Sequence, residues 1–354
     1  MHYPHITIAA DLYGCPNRCR HCWLGHTPNA RLPESTLTDI HTAFRPFTDS
    51  LEIDWWYREP DFTDNYRELW NLTAALSDTK TPHFELASVW RLVRDPSYAG
   101  WLAEKGVATV QLTLFGGETI TDRYTGRRGA YRDILQSIDI LLSHRILPRI
   151  QTFVNKETLP ELPHLERLIR ELRLEERCRE AGGQFTYFLH AGSCDGAAED
   201  LYDIWITPED LTAIPDALAA YTCAHFGTDR LEDVFGQTEA EWCAVLGKDT
   251  STAELAEDKP VFFVDHRMDV YPNITAPAPW WKLGNLVTDG VKAVLQKYSQ
   301  NESIAQQIRK TIPLGEIVRR MGNPDSIRLF SKGDYTSLIL NRYCRIRMNE
   351  EETI

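Results

Sequence analysis

Three cysteines close to the N-terminus constrain this chain most. The segment Cys15-Pro-Asn-Arg-Cys19-Arg-His-Cys22 has the spacing C-x3-C-x2-C. Thiols this close must share one tight loop. Three thiolates on such a loop can hold three irons of a cubane cluster and leave the fourth iron open, since iron–sulfur clusters prefer cysteine sulfur. The five remaining cysteines, Cys178, Cys194, Cys223, Cys243 and Cys344, are scattered. A reducing compartment favours metal ligation over disulfides for the cluster. The competing reading is a structural zinc site, a Cys3His tetrahedron of Cys15, Cys19, Cys22 and His26. Zinc sites more often come as two paired ligand halves.

Strand-like and helix-like segments alternate through the first two thirds of the chain. Strands are expected at 6–10, 51–57, 83–88, 108–115, 149–154 and 184–190. Helices are expected near 35–46, 64–77, 97–105, 130–145, 160–180 and 208–224. Consecutive βα units call for a parallel sheet with right-handed crossovers. Six units fall short of a closed eight-unit barrel. The expected fold class is therefore α/β, an open six-unit (βα)6 partial TIM barrel over residues 1–225. Residues 226–354 break the alternation and form a smaller α/β C-terminal extension.

The cysteine spacing, placed directly after a first strand, resembles the radical S-adenosylmethionine (SAM) superfamily. The resemblance implies a [4Fe–4S] cluster on Cys15, Cys19 and Cys22, with SAM chelating the open iron. It implies reductive cleavage of SAM to methionine and a 5′-deoxyadenosyl radical, which abstracts hydrogen from a substrate. It also implies an external electron donor such as a flavodoxin or ferredoxin. The residue before the last cysteine, here His21, lies near the adenine in that family.

Family members usually carry a Gly-Gly-Glu-Pro-like motif at the end of the second strand, facing the SAM amino group. A literal match, Gly116-Gly117-Glu118, lies three units after the cysteines. A degenerate match, Tyr57-Arg58-Glu59-Pro60, lies one helix and one strand after them. Position favours Glu59, with Tyr57 and Arg58 standing where the family has glycines. An arginine after the fourth strand often pairs with the SAM carboxylate, a role its planar fork suits. Arg123, Arg127 and Arg128 are the candidates, and the sequence does not choose among them. Asn155, ending the fifth strand, is expected near adenine or ribose. All these stretches fall at C-terminal strand ends, where parallel barrels assemble their sites.

Residues 261–296 are similar to the extension called SPASM. They run Val261-Phe-Phe-Val-Asp265-His-Arg-Met-Asp269-Val-Tyr-Pro-Asn273, then Trp280-Trp281-Lys-Leu-Gly284-Asn285. The resemblance implies a two-strand hairpin, then a Leu-Gly-Asn phrase before a helix. Its auxiliary-cluster cysteines lack counterparts: Asn273 stands where one is expected, and only Cys243 and Cys344 lie in this part. A SPASM-like scaffold without an auxiliary cluster is expected. The product radical then needs another fate, and Cys194, following the sixth strand, is the candidate hydrogen donor. Trp55-Trp56 and Trp280-Trp281 are candidate stacking surfaces. Asp265, Asp269 and Glu118 are candidate contacts for a cationic group.

A net charge of −13 argues against a general nucleic-acid binder and against docking on anionic lipid. No apolar run approaches the roughly 18 residues a membrane span needs, and no signal peptide opens the chain, so a cytoplasmic enzyme is expected. The substrate is expected to be a peptide or small natural product. Two alternatives stand beside this: an activating enzyme that installs a glycyl radical on a partner, and a non-catalytic zinc- or iron–sulfur-binding interaction protein.

Overall fold

The computed structural model describes residues 1–25, 29–54, 58–79, 85–272 and 276–351. His26, Trp55, Trp56, Tyr57 and Asn273, all singled out above, lie outside these residues.

Five of the six expected parallel strands form: β1 (Ile6–Ala10), β2 (Leu51–Asp54), β3 (Thr109–Thr113), β4 (Leu147–Phe153) and β5 (Thr186–His190). Short runs rich in β-branched residues favour extended backbone. β1 is buried on both faces save at Thr7, as a strand covered on both sides must be. β4 alternates strictly between half-buried and buried positions. The expected strand at 83–88 lies partly outside the described residues. Its described part runs beside β3, where the Gln111 N–H donates to the Glu85 carbonyl at 2.9 Å.

The parallel strands divide into two groups. β3, β4 and β5 form one three-stranded parallel sheet. β1 pairs in parallel with β2 on one side. On its other side it pairs, also in parallel, with β7 (Val261–Val264). β7 comes from the C-terminal part, so the division at 225/226 separates the chain in sequence while the strands interleave. An open edge of β1 would leave a row of unpaired backbone groups, and β7 covers it.

β7 turns through Asp265–Met268 into antiparallel β8 (Asp269–Tyr271), which pairs with β9 (Gly284–Asn285). This is the hairpin and Leu-Gly-Asn phrase expected above, followed by the helix Gly290–Gln300. Asp265 builds the turn, its Oδ1 accepting from the N–H groups of Arg267 and Asp269 at 2.8 and 3.0 Å. Asp269 accepts from Asn285 Nδ2 at 2.8 Å and Lys282 Nζ at 2.7 Å. Both acids thus serve the hairpin. A short antiparallel pair, β6 (Gln237–Thr238) with β10 (Leu329–Phe330), completes the strands of the described residues.

Helices follow the strands largely as expected, with four differences, the first being an additional helix, Val89–Arg94, ahead of the one expected near 97–105. The segment 160–180 holds two helices, Leu162–Glu171 and Leu174–Glu180, because Arg173 takes a left-handed φ of 52° that no α-helix continues. The segment 208–224 opens as a 3-10 turn, Pro208–Ala213, before the helix Asp216–Phe226. The helix Glu118–Thr125 grows out of the Gly116-Gly117 turn and was not anticipated.

A main core of buried residues runs from Tyr3 to Leu329. A second apolar group joins Phe115, Tyr124 and Cys194 to Ile317, Tyr335, Leu338 and Cys344 of the C-terminal part. The C-terminal helices are therefore packed onto the rim at which β3, β4 and β5 end.

Candidate functional site

The cysteine loop leaves β1 at Asp11 and returns to the same point. The Asp11 N–H donates to Val264 of β7 at 3.0 Å, and the Asp11 carbonyl accepts from Leu32 N–H at 2.7 Å. The excursion between them is pinned at two places. Arg18 and Arg20 donate their N–H groups to the carbonyls of Thr125 and Tyr124, both at 2.9 Å. Ala197 donates its N–H to the Cys22 carbonyl at 2.9 Å. Glycines permit both contacts. At Gly126 a Cβ would stand 2.6 Å from the Arg18 oxygen, and at Gly196 one would stand 2.7 Å from the Cys22 oxygen. Both also have left-handed φ values, 64° and 59°, which side chains resist.

The three thiols stand half-buried on this loop. Among the described residues none of the eight cysteines forms a disulfide. Burial pushes all three thiols up, with the Glu59 charge adding to this at Cys15 and the charges of Cys15 and Cys22 adding to it at Cys19. Backbone N–H groups work the other way. The Asn17 N–H donates to Cys15 Sγ at 3.4 Å, and those of Leu24 and Gly25 reach the Cys22 sulfur. Such N–H···S bonds favour thiolate and tune the potentials of iron–sulfur clusters. Among the described residues no three His, Cys, Asp or Glu side chains converge tightly enough for one metal ion. Thiolates of a cubane bind separate irons and stand wider apart than the ligands of a single ion. The donor set and its N–H partners fit a cluster.

Glu59 comes to this loop and is buried there, 9% exposed. Its Oε1 accepts from Ser88 Oγ at 2.8 Å, and its Oε2 accepts from Asn17 Nδ2 at 3.0 Å with Cys15 Sγ at 4.0 Å. Burial raises its carboxyl above the usual range, opposed by the Ser88 hydrogen bond. Arg58, beside it, takes a left-handed φ of 69°, the conformation a glycine adopts without strain. Its guanidinium turns away to the buried Asp11, Nε to Oδ1 at 2.7 Å and Nη2 to Oδ2 at 3.0 Å. Glu118, of the literal glycine motif, lies elsewhere: it is exposed and pairs with Arg132 at 2.9 Å. That motif's turn instead cradles Glu161, whose Oε2 accepts from the Gly117 N–H at 2.9 Å.

The three candidate arginines separate. Arg127 joins the loop, donating from Nε to Asn17 Oδ1 at 2.8 Å while also pairing with Asp133. Asn17 thereby links Arg127 to Glu59. Arg123 pairs with Glu157 at 2.8 Å and is half exposed, and Arg128 is exposed. Asn155 is buried, and its Oδ1 accepts from Tyr124 Oη and the N–H groups of Glu157 and Thr158. That oxygen holds the turn after β4 in place, leaving Nδ2 as the part of the side chain not taken up by it.

His21 enters an aromatic group built from three strand ends. Its ring lies 4.2 Å from Phe153 of β4 and 4.8 Å from Phe115, just past β3. Phe153 in turn meets His190 of β5 at 5.3 Å. Burial, with His190 adding to it, pulls His21 down to about 3, so the imidazole is neutral, and its Nδ1 is buried without a partner. Cys194 sits 2% exposed in the second apolar group, its thiol pushed up by burial. The next residue, Asp195, accepts from Ser337 Oγ at 2.8 Å and Asn341 Nδ2 at 2.7 Å. Asn341 Oδ1 accepts from both Trp280 and Trp281, at 2.9 and 3.0 Å, so these indoles tie the extension to the strand rim.

Sequence reasoning missed Asp11, Asn17, Ser88, Phe115, Asn341 and Asp195. An acid directly after a strand buried on both faces was a usable signal for Asp11, since such an acid needs a partner.

No family model matches the chain, and no curated protein matches it. Solved structures do. "Native anSMEcpe with bound AdoMet and Cp18Cys peptide" superposes with a TM-score of 0.52 at 15% identity, over 98% of both chains. "Native anSMEcpe with bound AdoMet" gives 0.50 at 14% identity, again over 98% of both. The complex with the Kp18Cys peptide gives 0.50 at 13%, covering 99% of this chain and 100% of that one. Among the described residues no helix is long and apolar enough to cross a membrane. The chain thus shares the fold of the AdoMet-bound anSMEcpe structures.

Proposed function

We propose that this chain is a radical SAM enzyme that holds a [4Fe–4S] cluster on Cys15, Cys19 and Cys22 and binds SAM beside it. The observation that carries this reading is the meeting of the cysteine loop with the linked side chains Glu59, Asn17 and Arg127. When bound, the reduced cluster and SAM together supply a 5′-deoxyadenosyl radical for hydrogen abstraction.

The residues divide the binding work by charge and shape. Glu59, an acceptor held by Ser88 and Asn17, suits the SAM amino group. Arg127, held by Asn17 and Asp133, suits the carboxylate. The neutral ring of His21, with Phe115 and Phe153, offers a stacking face for adenine. Asn155 Nδ2 lies on the same rim for the ribose. Strands β1 to β5 are read as part of the arc of an open (βα)6 barrel over residues 1–225, with 226–354 a SPASM-like cover lacking an auxiliary cluster. In that cover Cys243 Sγ is already paired with Tyr335 Oη at 3.1 Å, and Cys344 is buried in the core. A flavodoxin or ferredoxin would supply the electron. Cys194 is kept as the thiol that would return a hydrogen atom to the substrate.

The substrate is assigned to the peptide class, with small natural products as the second choice. Support for peptides is by analogy: anSMEcpe was solved with Cp18Cys and Kp18Cys peptides on the same fold. The test is anaerobic reconstitution with iron and sulfide, then dithionite and SAM, with 5′-deoxyadenosine quantified. The expected result is about four irons per chain and 5′-deoxyadenosine formation, both lost when the three cysteines become alanine. A protein that holds zinc instead, or that holds iron and never cleaves SAM, overturns the proposal.

A further inference from the structure

The C-terminal part lines a half-open cavity of about 430 Å³, within the range of small-molecule sites. Its walls are mixed, with Val261, Trp281, Leu314 and Leu340 forming their apolar part. Two donor groups line it without acceptors to match. Gln306 is fully buried. Its Oε1 accepts from the Ser303 N–H at 3.3 Å in the capping box of the helix Ile304–Thr311. That bond sets the direction of the amide and leaves Nε2 buried without a partner.

Arg309 follows three residues later on the same helix face. It is 9% exposed, and the one hydrogen bond of its side chain among the described residues runs from Nη1 to the Ile312 carbonyl at 3.2 Å. It makes no ion pair among the described residues. Glu257, the carboxylate in the cavity lining, is exposed. Burial lowers Arg309 below its ordinary range, with the charge of Asp249 opposing. A guanidinium stays protonated in proteins, and a buried cation lacking an anion is costly. A buried fork beside an orphan amide is a receptor for a carboxylate, whose two oxygens accept from both.

We propose that this cavity binds a ligand with an apolar body and one carboxylate, seated on Arg309 and Gln306 Nε2. The apolar walls take the body, and Trp281 takes its flat face. Trp281 also packs against the group of Ala9, Leu24, Phe263 and Tyr271, on which Cys22 and Trp23 lie. The cavity and the cysteine loop thus border the same apolar group, yet the cavity's binding chemistry is independent of any cluster.

The test is calorimetric titration of the purified full chain with N-acetyl-L-phenylalanine and, separately, with its amide. The acid is expected to bind at least about tenfold more tightly than the amide, because only the acid satisfies the fork. Arg309→Leu should abolish that preference. Thr336→Trp, which keeps the guanidinium but fills the cavity, should abolish binding of both. Circular dichroism and the melting temperature establish that each variant is folded. Should Arg309→Leu fail to fold, the acid–amide difference and Thr336→Trp still decide. Equal binding of acid and amide, no heat from either probe at millimolar concentration, or unchanged binding in Thr336→Trp overturns the proposal. Tight binding of inorganic phosphate without the acid also overturns it.

Discussion

Cysteine occurs in two contrasting settings in this molecule. Cys15, Cys19 and Cys22 stand half-buried on one loop, with N–H groups directed at sulfur and polar side chains around them. Cys178, Cys194 and Cys344 are fully buried. Cys194 and Cys344 lie in apolar surroundings, among Phe115, Trp205, Leu338 and Ile339. Burial pushes the thiols up in both settings. A raised thiol therefore does not distinguish a ligand from a core residue. What distinguishes them is the surroundings: the loop brings three thiols together with Asn17 and Glu59, and the core supplies apolar contacts.

Exchanging the cysteines in each setting should break or uphold this contrast. Changing Cys15, Cys19 and Cys22 to alanine should remove iron and reduce 5′-deoxyadenosine by about 100-fold or more, measured after anaerobic reconstitution. Changing Cys194 or Cys344 should leave both per folded chain unchanged. A fall in iron with either core variant would erase the distinction.

The arginines sharpen it next. Arg127→Leu should weaken SAM binding by about 10–100-fold, the worth of a charge-assisted bond of about 1.5–3 kcal/mol. Arg123→Leu and Arg128→Leu should change it by less than about 2-fold, being exposed. Equilibrium dialysis with labelled SAM on the reconstituted protein measures all three. If the order is reversed, Arg127 does not hold the carboxylate.

A smaller effect is expected on stability. Cys344→Ala should lower stability by about 1–2 kcal/mol, or about 2–4 °C in melting temperature, through the vacated volume. Cys22→Ala should cost less than this in the apo protein, because that residue is only partly buried.

The smallest effect concerns pH. Asp195 and Asp334 are both raised above the ordinary carboxyl value of 3.8, chiefly by burial. Each binds its proton more tightly folded than unfolded. Their contribution to stability is present below the unfolded value and is lost as pH rises through the raised folded value. Asp195→Asn keeps an acceptor for Ser337 and Asn341, so it should raise the melting temperature at pH 8 by about 1–2 °C and flatten its rise toward acid. A steeper pH dependence in the variant would contradict this sign.

Much of the fold was legible. Short apolar and β-branched runs marked β1, β4 and β5, and longer mixed stretches marked most helices to within a few residues, because each is set by contacts close in sequence. The break at Arg173 was not legible, since the apolar pattern runs on through it. The parallel seating of β7 beside β1 was not legible either, as strand pairing across so much chain leaves no local signal. In the site, the cysteine spacing and the position of Glu59 after β2 were readable. Asn17 was not: its two partners, Glu59 and Arg127, lie 42 and 110 residues away.

By itself the sequence determined the chemistry on offer: three thiols on one loop, an acid and three arginines at strand ends, and a C-terminal hairpin. Only the tertiary structure decided which groups meet. It brought Arg127 to Asn17 of the loop, placed Glu59 at the loop and Glu118 outside it, and buried Arg309 on the same helix face as an unsatisfied amide. The physical reason is range. Spacing along a chain governs a loop or a helix turn, whereas meeting across the fold depends on packing that no short stretch encodes.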